Sequence, residues 1–394
     1  MKKLLLATSA LTLMSGVAFA EEIKLGIIIG FTGPLETITP AMAAGAEAAI
    51  AEVNASGLLL DGSTVTAIRA DSTCGDAAVG TAAAERLVTS DKVNAIIGGD
   101  CSGVTGAILQ NVARPNGIVM ISPSATSPGL STAEDDGLFF RTAPSDAREG
   151  EVATEIMMER GIKSIAITYT NNDYGKGLSD AIKTSFEAAG GTVTIVAAHE
   201  DGKGDYSAEV GALAAAGGDI LVVAGYIDQG GLGIIKTALD LGAFDTFELP
   251  GGMVGDSLPE NVGEGLNGSF GQVPGSDAPG MAILTETLKA LGFDATSAYT
   301  PESYDAAALI MLAMQAAGSS ASADLKNHVM DVANAPGEVI QPGELAKALQ
   351  ILKDGGDIDY AGASNVELIG PGESAGNYRE IEVKDGKNET VGFR

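Results

Sequence analysis

The residues best suited to chemistry lie in Ile121-Ser122-Pro123-Ser124-Ala125-Thr126-Ser127-Pro128, where two prolines flank small hydroxyl side chains. Proline stiffens the chain and removes a donor, so the loop presents hydroxyls and N–H groups that neither helix nor sheet consumes. The apolar run Gly117-Ile118-Val119-Met120-Ile121 leads into it and reads as a buried strand. One βα unit earlier, Ala95-Ile96-Ile97-Gly98-Gly99 runs into Asp100-Cys101-Ser102-Gly103. Ligands of open parallel sheets sit beyond the carboxyl ends of strands, so two neighbouring hydroxyl-rich ends form an anion-binding cup. The plainer alternative is that these residues only shape turns, a common use of loop Ser and Thr.

A second group of candidates lies further along. Thr170-Asn171-Asn172-Asp173-Tyr174-Gly175-Lys176-Gly177 follows a strand-like run and presents Tyr174 before a helix. Tyr226, Asp228 and Gln229 follow Val223-Ala224-Gly225, and Pro250-Gly251-Gly252-Met253-Val254-Gly255-Asp256-Ser257 is a glycine-rich turn. Each alone reads as a solvated loop. Together they set aromatic and acidic groups against the hydroxyls of the first group. That division suits a zwitterion, with carboxylate on one side and ammonium on the other.

The elements that must position these loops alternate strand and helix. Ile23–Ile29, Val65–Asp71, Ala95–Gly98 and the Ile118 run are strands, with helices from about Ala41 to Asn54 and over Ala77–Val88. A second set begins near Ala143-Pro144, with strands at Ser164–Tyr169, Thr192–Val196 and Asp219–Ala224 and helices near 177–189 and 206–216. Helix periodicity returns at Ala282–Leu291 and Tyr304–Ala317. This βαβ rhythm predicts an α/β chain of two doubly wound, parallel lobes.

The first 20 residues read as a secretory signal: Met1-Lys2-Lys3, an apolar stretch from Leu4 to Val17, and the cleavage pattern Ala18-Phe19-Ala20. No later run reaches the ~18 apolar residues a membrane helix needs, so membrane insertion is not expected. Export to the periplasm of a Gram-negative bacterium is the expected location. Removing the leader's two lysines takes the formal charge from −29 to −31, which argues against nucleic acid or anionic lipid as partners. The only cysteines, Cys74 and Cys101, read most simply as a disulfide in an exported chain. A catalytic thiol is the alternative, and it would need a basic partner from His199 or His328. Motifs for a nucleophile elbow, a zinc helix, a dinucleotide fold or a P-loop are absent, so no enzyme, cofactor or metal is expected.

Taken together, Gly30-Phe31-Thr32-Gly33-Pro34, Asp71…Cys74, Gly98…Cys101-Ser102, Ile121–Thr126, Asn172-Asp173-Tyr174-Gly175 and Tyr360-Ala361-Gly362-Ala363-Ser364 give the mature chain a clear likeness. It resembles the periplasmic branched-chain amino acid (Leu/Ile/Val-type) binding proteins, the type I solute-binding proteins of ABC transporters. The resemblance implies two Rossmann-like lobes joined by a three-strand hinge that close on a ligand like a Venus flytrap. Lobe 1 would span 21–142 plus about 274–352, and lobe 2 would span 143–273 plus about 353–394. Ser102, Ser124 and Thr126 would hold the ligand carboxylate, with Ala125 as a small spacer. Tyr174 would cover the ligand from the other lobe, and Tyr226 would form a pocket wall. Relatives that bind leucine-like ligands carry a glutamate for the ammonium in the glycine-rich turn, where this chain has none. Asp256 or Asp228 would then substitute, or the ligand lacks an ammonium and is an aromatic, keto or short-chain acid, or an amide. The implied partners are that small ligand and the permease subunits of an ABC transporter, served by a monomer. A ligand-sensing subunit for a membrane signalling partner is the remaining alternative.

Overall fold

The computed structural model describes residues 20–394, so the leader expected at 1–20 lies, except for Ala20, outside the described residues. Strands form where β-branched runs can be buried on both faces. Ile27, Ile28 and Ile29 are fully buried in β1 (Glu22–Ile29). β2 (Thr64–Asp71), β3 (Ala95–Gly98), β4 (Val119–Ser122) and β5 (Phe139–Pro144) follow, then β6 (Ser164–Thr170), β7 (Thr192–His199), β8 (Ile220–Ala224), β9 (Phe247–Leu249) and β10 (Phe270–Pro274). β11 (Glu338–Ile340) and β12 (Ile358–Tyr360) pair separately. The chain ends with β13 (Leu368–Ile369), β14 (Glu373–Ser374), β15 (Tyr378–Lys384) and β16 (Lys387–Phe393).

Two seven-stranded sheets result, ordered β13-β14-β5-β4-β3-β1-β2 and β16-β15-β10-β9-β8-β6-β7. The last five strands of each order are parallel and share one doubly wound arrangement, β5-β4-β3-β1-β2 in one and β10-β9-β8-β6-β7 in the other. In such sheets the chain reverses direction between the strand pairs β1/β3 and β6/β8, and crevices open there. Both groups of candidate loops leave the carboxyl ends of strands at or beside these two switch points. Three connections cross between the lobes: from β5 into the Asp146–Glu159 helix, from β10 into the Pro279–Ala290 helix, and from β14 to β15.

The third crossover corrects the expected division of the chain. Residues 353 to 374 belong with the first sheet, because β14 pairs with β5 and β13 pairs with β14. The Tyr360–Ser364 motif is therefore a brace of lobe 1. The buried Asp305 carboxylate accepts hydrogen bonds from the Tyr360 hydroxyl at 2.8 Å and from the Ala363 and Ser364 amides at 2.8 Å each. The polar, Gly-rich composition of this segment concealed two very short strands that only pairing with a distant edge could define.

Helices cover both faces of each sheet. In lobe 1 the Thr39–Ser56 helix packs along Thr300–Ala317, and a Cβ added at Gly45 would stand 2.5 Å from the Thr300 carbonyl oxygen. Alanine would gain about 1 kcal/mol of helix propensity there but force the helices apart, which costs about 1–3 kcal/mol. Gly45→Ala should therefore lower the melting temperature in a thermal unfolding scan. An unchanged or raised value would mean the two helices are free to separate.

Candidate functional site

The lobe 1 wall of the cleft is set by buried hydrogen bonds among the strand ends. Cys74 and Cys101 form a disulfide with Cα atoms 5.2 Å apart, which ties the loop after β2 to the loop after β3. Asp100, beside it, accepts from the Gly30 amide at 2.9 Å and the Ser72 hydroxyl at 2.7 Å. The Ser122 hydroxyl donates to the Gly99 carbonyl at 2.6 Å and accepts from the Ala125 amide at 2.9 Å. Ser124 donates to the Asp100 carbonyl at 3.1 Å, and Ser102 accepts from the Ser127 amide at 3.0 Å. Beneath the loop the buried Arg141 guanidinium holds the Ala125 and Ser127 carbonyls at 3.0 Å each and pairs with Glu373. These carbonyls are thus drawn away from the cleft.

Lobe 2 contributes an aromatic wall. The rings of Tyr174 and Tyr226 stack with centroids 5.1 Å apart, and the Gly252 amide donates to the Tyr174 hydroxyl at 3.1 Å. Asn172, at the head of the Asp173–Ala188 helix, caps it through the Gly175 amide and so fixes where Tyr174 enters the cleft. Tyr174, Tyr226, Gly252 and Tyr299 close over a narrow cavity with Leu35, Asp100, Cys101, Ser102 and Ser124, about 10 Å3 in volume.

Beside this cavity lies a group of buried acids. Asp146 and Glu149 open the helix that follows the first crossover, and both are fully buried. Neither Asp146 oxygen nor Glu149 Oε2 meets a hydrogen-bond partner among the described residues, and the same holds for the Thr126 hydroxyl. Thr126 adjoins Asp146 closely enough to favour its ionised form, although the pair makes no well-formed hydrogen bond. Glu149 Oε1 accepts from the Gly251 amide at 2.8 Å and from Gln272 at 3.1 Å. Burial raises both acids, Asp146 well above its ordinary value and Glu149 to about 7, and the like charge of Glu149 adds to the Asp146 shift. Glu248 lies behind them, raised by burial to about 8.

Of the residues expected from sequence, Ser102, Ser124, Tyr174 and Tyr226 line one cavity, and Thr126 lies beside it. Ala125 points its methyl into the lobe 1 core and offers only backbone to the loop. Asp256 is exposed and lines a different groove with Ser257 and Arg379, so the structure does not bring it to the site. Asp228 is committed elsewhere. Its carboxylate accepts from the Thr37 amide at 3.0 Å and from the Thr37 and Ser257 hydroxyls, while its own amide donates to the Pro34 carbonyl at 3.1 Å. These bonds join the two lobes and hold the cleft shut.

Asp146, Glu149, Tyr299 and Arg141 were not singled out in the sequence. The Ser145-Asp146 start of a helix reads as an ordinary cap, and acids in a first helical turn are favoured anyway. Among the described residues one Cys/acid cluster has metal-ligand proximity, Cys74, Asp100 and Cys101, and its sulfurs are spent in the disulfide. His199 is buried, bonded to Thr168, and lowered by desolvation to about 4, so it is neutral. No helix among the described residues is long and apolar enough to cross a membrane.

Comparison with known proteins agrees with this geometry. A family model described as periplasmic binding protein matches residues 22–340. Leu/Ile/Val-binding protein homolog 1 of Brucella melitensis is 33% identical over 325 residues, which are 78% of this chain and 85% of the relative. A leucine-binding protein from Thermotoga maritima shares the fold with a TM-score of 0.79 at 22% identity, over 94% of this chain and 98% of that one. A solute-binding protein from R. palustris, solved in complex with benzoate, superposes with a TM-score of 0.76 at 20% identity, over 94% and 96% of the two chains.

Because Asp228 bonds lobe to lobe without lining the cavity, Asp228→Ala should loosen closure without altering ligand choice. A net loss of about 1 kcal/mol corresponds to a roughly fivefold smaller closed-to-open ratio. Small-angle scattering of the ligand-free variant should show a larger radius of gyration than wild type, and an identical profile would contradict the latch.

Proposed function

The chain belongs to the periplasmic binding protein family, and on that footing we propose that it is an amino acid receptor of a bacterial ABC importer. It captures an amino acid between its lobes in the periplasm and delivers it to the membrane permease. The observation that carries this reading is the placing of opposite chemistries next to each other, one lining the cavity and the other beside it. Hydroxyls and N–H groups at the ends of β3 and β4 suit a carboxylate, and unpartnered buried acids at the start of the Asp146–Glu159 helix suit an ammonium. The name of the Brucella relative is in keeping with an aliphatic amino acid as ligand.

Capture proceeds from differential contacts. Ser102, Ser124 and Thr126 hold the carboxylate, Tyr174 and Tyr226 cover it, and the ammonium meets the acids beside Thr126. Contacts from both lobes exist only when the cleft is shut, so ligand draws the hinge equilibrium toward the closed form. Hydrogen bonds to charged groups contribute about 1.5–3 kcal/mol each, so three or four of them leave micromolar or tighter affinity after ordering costs. The closed receptor docks on the permease, and the protein itself performs no catalysis.

Three tyrosines around the cavity favour a second reading, an aromatic acid without an ammonium, and the benzoate-bound relative shows that the fold accommodates one. That reading leaves Asp146 and Glu149 without a cation, at a cost of several kcal/mol if they ionise, so the amino acid is preferred.

A thermal-shift panel on mature protein, refolded free of co-purified ligand, separates the two. A ligand at ~100 times its dissociation constant adds ~2.7 kcal/mol, a rise of several degrees. Stabilisation by one or more of the twenty protein amino acids is expected. Stabilisation by aromatic, keto or short-chain acids alone would overturn the proposal.

A further inference from the structure

At Gly251 and Gly252 the glycine-rich turn after β9 has no room for an acid in this closed geometry. A Cβ at Gly251 would lie 2.4 Å from the Tyr299 hydroxyl, and one at Gly252 would lie 2.6 Å from the Gly225 carbonyl and 2.7 Å from the Tyr174 hydroxyl. The space beside the turn is instead reached from another element. Glu149 projects from the Asp146–Glu159 helix until its Oε1 takes the Gly251 amide, with Gln272 as second donor. Two donors on one oxygen fix the plane of the carboxylate, and Oε2 is left without a partner. Asp146 and the Thr126 hydroxyl, also without partners, complete a set of three side chains. A primary ammonium carries three N–H donors.

We propose that Glu149 is the specificity-determining acid for the ligand ammonium, acting with Asp146 and replacing an acid that Gly251 and Gly252 have no room to carry. The proposal rests on the amino acid reading of the site and assigns its ammonium half to residues of the first crossover. Two carboxyls facing one ammonium also make capture a proton-linked event. Asp146, Tyr174, Glu248, Tyr299 and Tyr378 face Glu149, with Gln272 between it and Glu248, and none of these carries a positive charge. The cation felt by Asp146 is Arg141, already engaged by Glu373 and the loop carbonyls. Without ligand Glu149 holds its proton up to about 7, and burial raises Asp146 as well. An arriving ammonium favours the ionised form and expels a proton.

The sign is therefore set. Affinity rises as pH climbs through about 7, where Glu149 becomes ionised before ligand arrives. Below that point it falls by up to tenfold per pH unit. Ligand-free stability runs the other way: a carboxyl raised by folding stabilises fully below its unfolded value and loses that contribution as pH rises through about 7.

Isothermal titration of refolded mature protein tests this, with the tightest-binding protein amino acid and the same carbon skeleton lacking its amino group as the two probes. Titrations at pH 6 and pH 8, in buffers of different ionisation enthalpy, count protons. For wild type we expect release of about one proton at pH 6, less at pH 8, and strong preference for the amino acid. Glu149→Gln should weaken the amino acid about 10- to 100-fold, leave the amine-free acid unchanged or tighter, and abolish most of the proton release. Its ligand-free melting temperature at pH 8 should equal or exceed wild type, since the substitution removes a buried charge. A residue that merely supports the fold would lower it. An E149Q protein with wild-type selectivity and proton release would overturn the assignment while leaving the receptor reading intact. Failure of wild type to bind any amino acid would overturn both.

Discussion

A carboxylate shut away from water must find a cation or give up its charge, and that constraint organises the interior of this cleft. Asp146 and Glu149 sit where the chain first crosses between lobes, and three of their four oxygens have no partner among the described residues. Neutralising them by proton uptake is the low-cost solution without ligand, and burial accordingly pushes both upward. An ammonium is the better solution, because it supplies charge and directed donors at once. The crossover position means that satisfying these acids and closing the lobes are a single event.

The rest of the molecule divides into parts that stay fixed and parts that move. The disulfide, Asp100 and the buried Arg141 brace the hydroxyl-rich loop from below, so its donors are aimed before ligand arrives. On the entropic account a bridge of this loop length stabilises by roughly 3–4 kcal/mol, far more than any exposed ion pair on the surface, which contributes about 0–1 kcal/mol. The moving parts are held more weakly. Asp228 reaches Thr37 across the cleft edge in a setting open to water, so its bonds bias closure without committing the protein to it.

Much of this was legible in the sequence because it depends on local pattern. Buried β-branched runs located β1, β2, β3, β4, β6 and β8 to within a residue or two, and the loops after β3, β4, β6 and β8 supplied Ser102, Ser124, Tyr174 and Tyr226, which line one cavity. What escaped is non-local. Asp146 and Glu149 look like ordinary first-turn acids, and only the return of the chain after β9 turns them into cleft residues. Asp256 had the opposite fate: adjacent in sequence to the glycine-rich turn, it is carried outward by the next helical turn and ends exposed. β13 and β14 are two residues long, too short for periodicity to register, which is why the third crossover was placed too early.

The most direct measurement is the identity of the molecule the protein carries. Purified from its native host under mild conditions, then denatured, the protein should release its ligand for analysis by mass spectrometry. The account predicts a small molecule with one carboxyl and one basic amine, present near one per chain. A carboxylic acid with no basic nitrogen at the same occupancy would contradict it, since nothing would then answer the two buried acids.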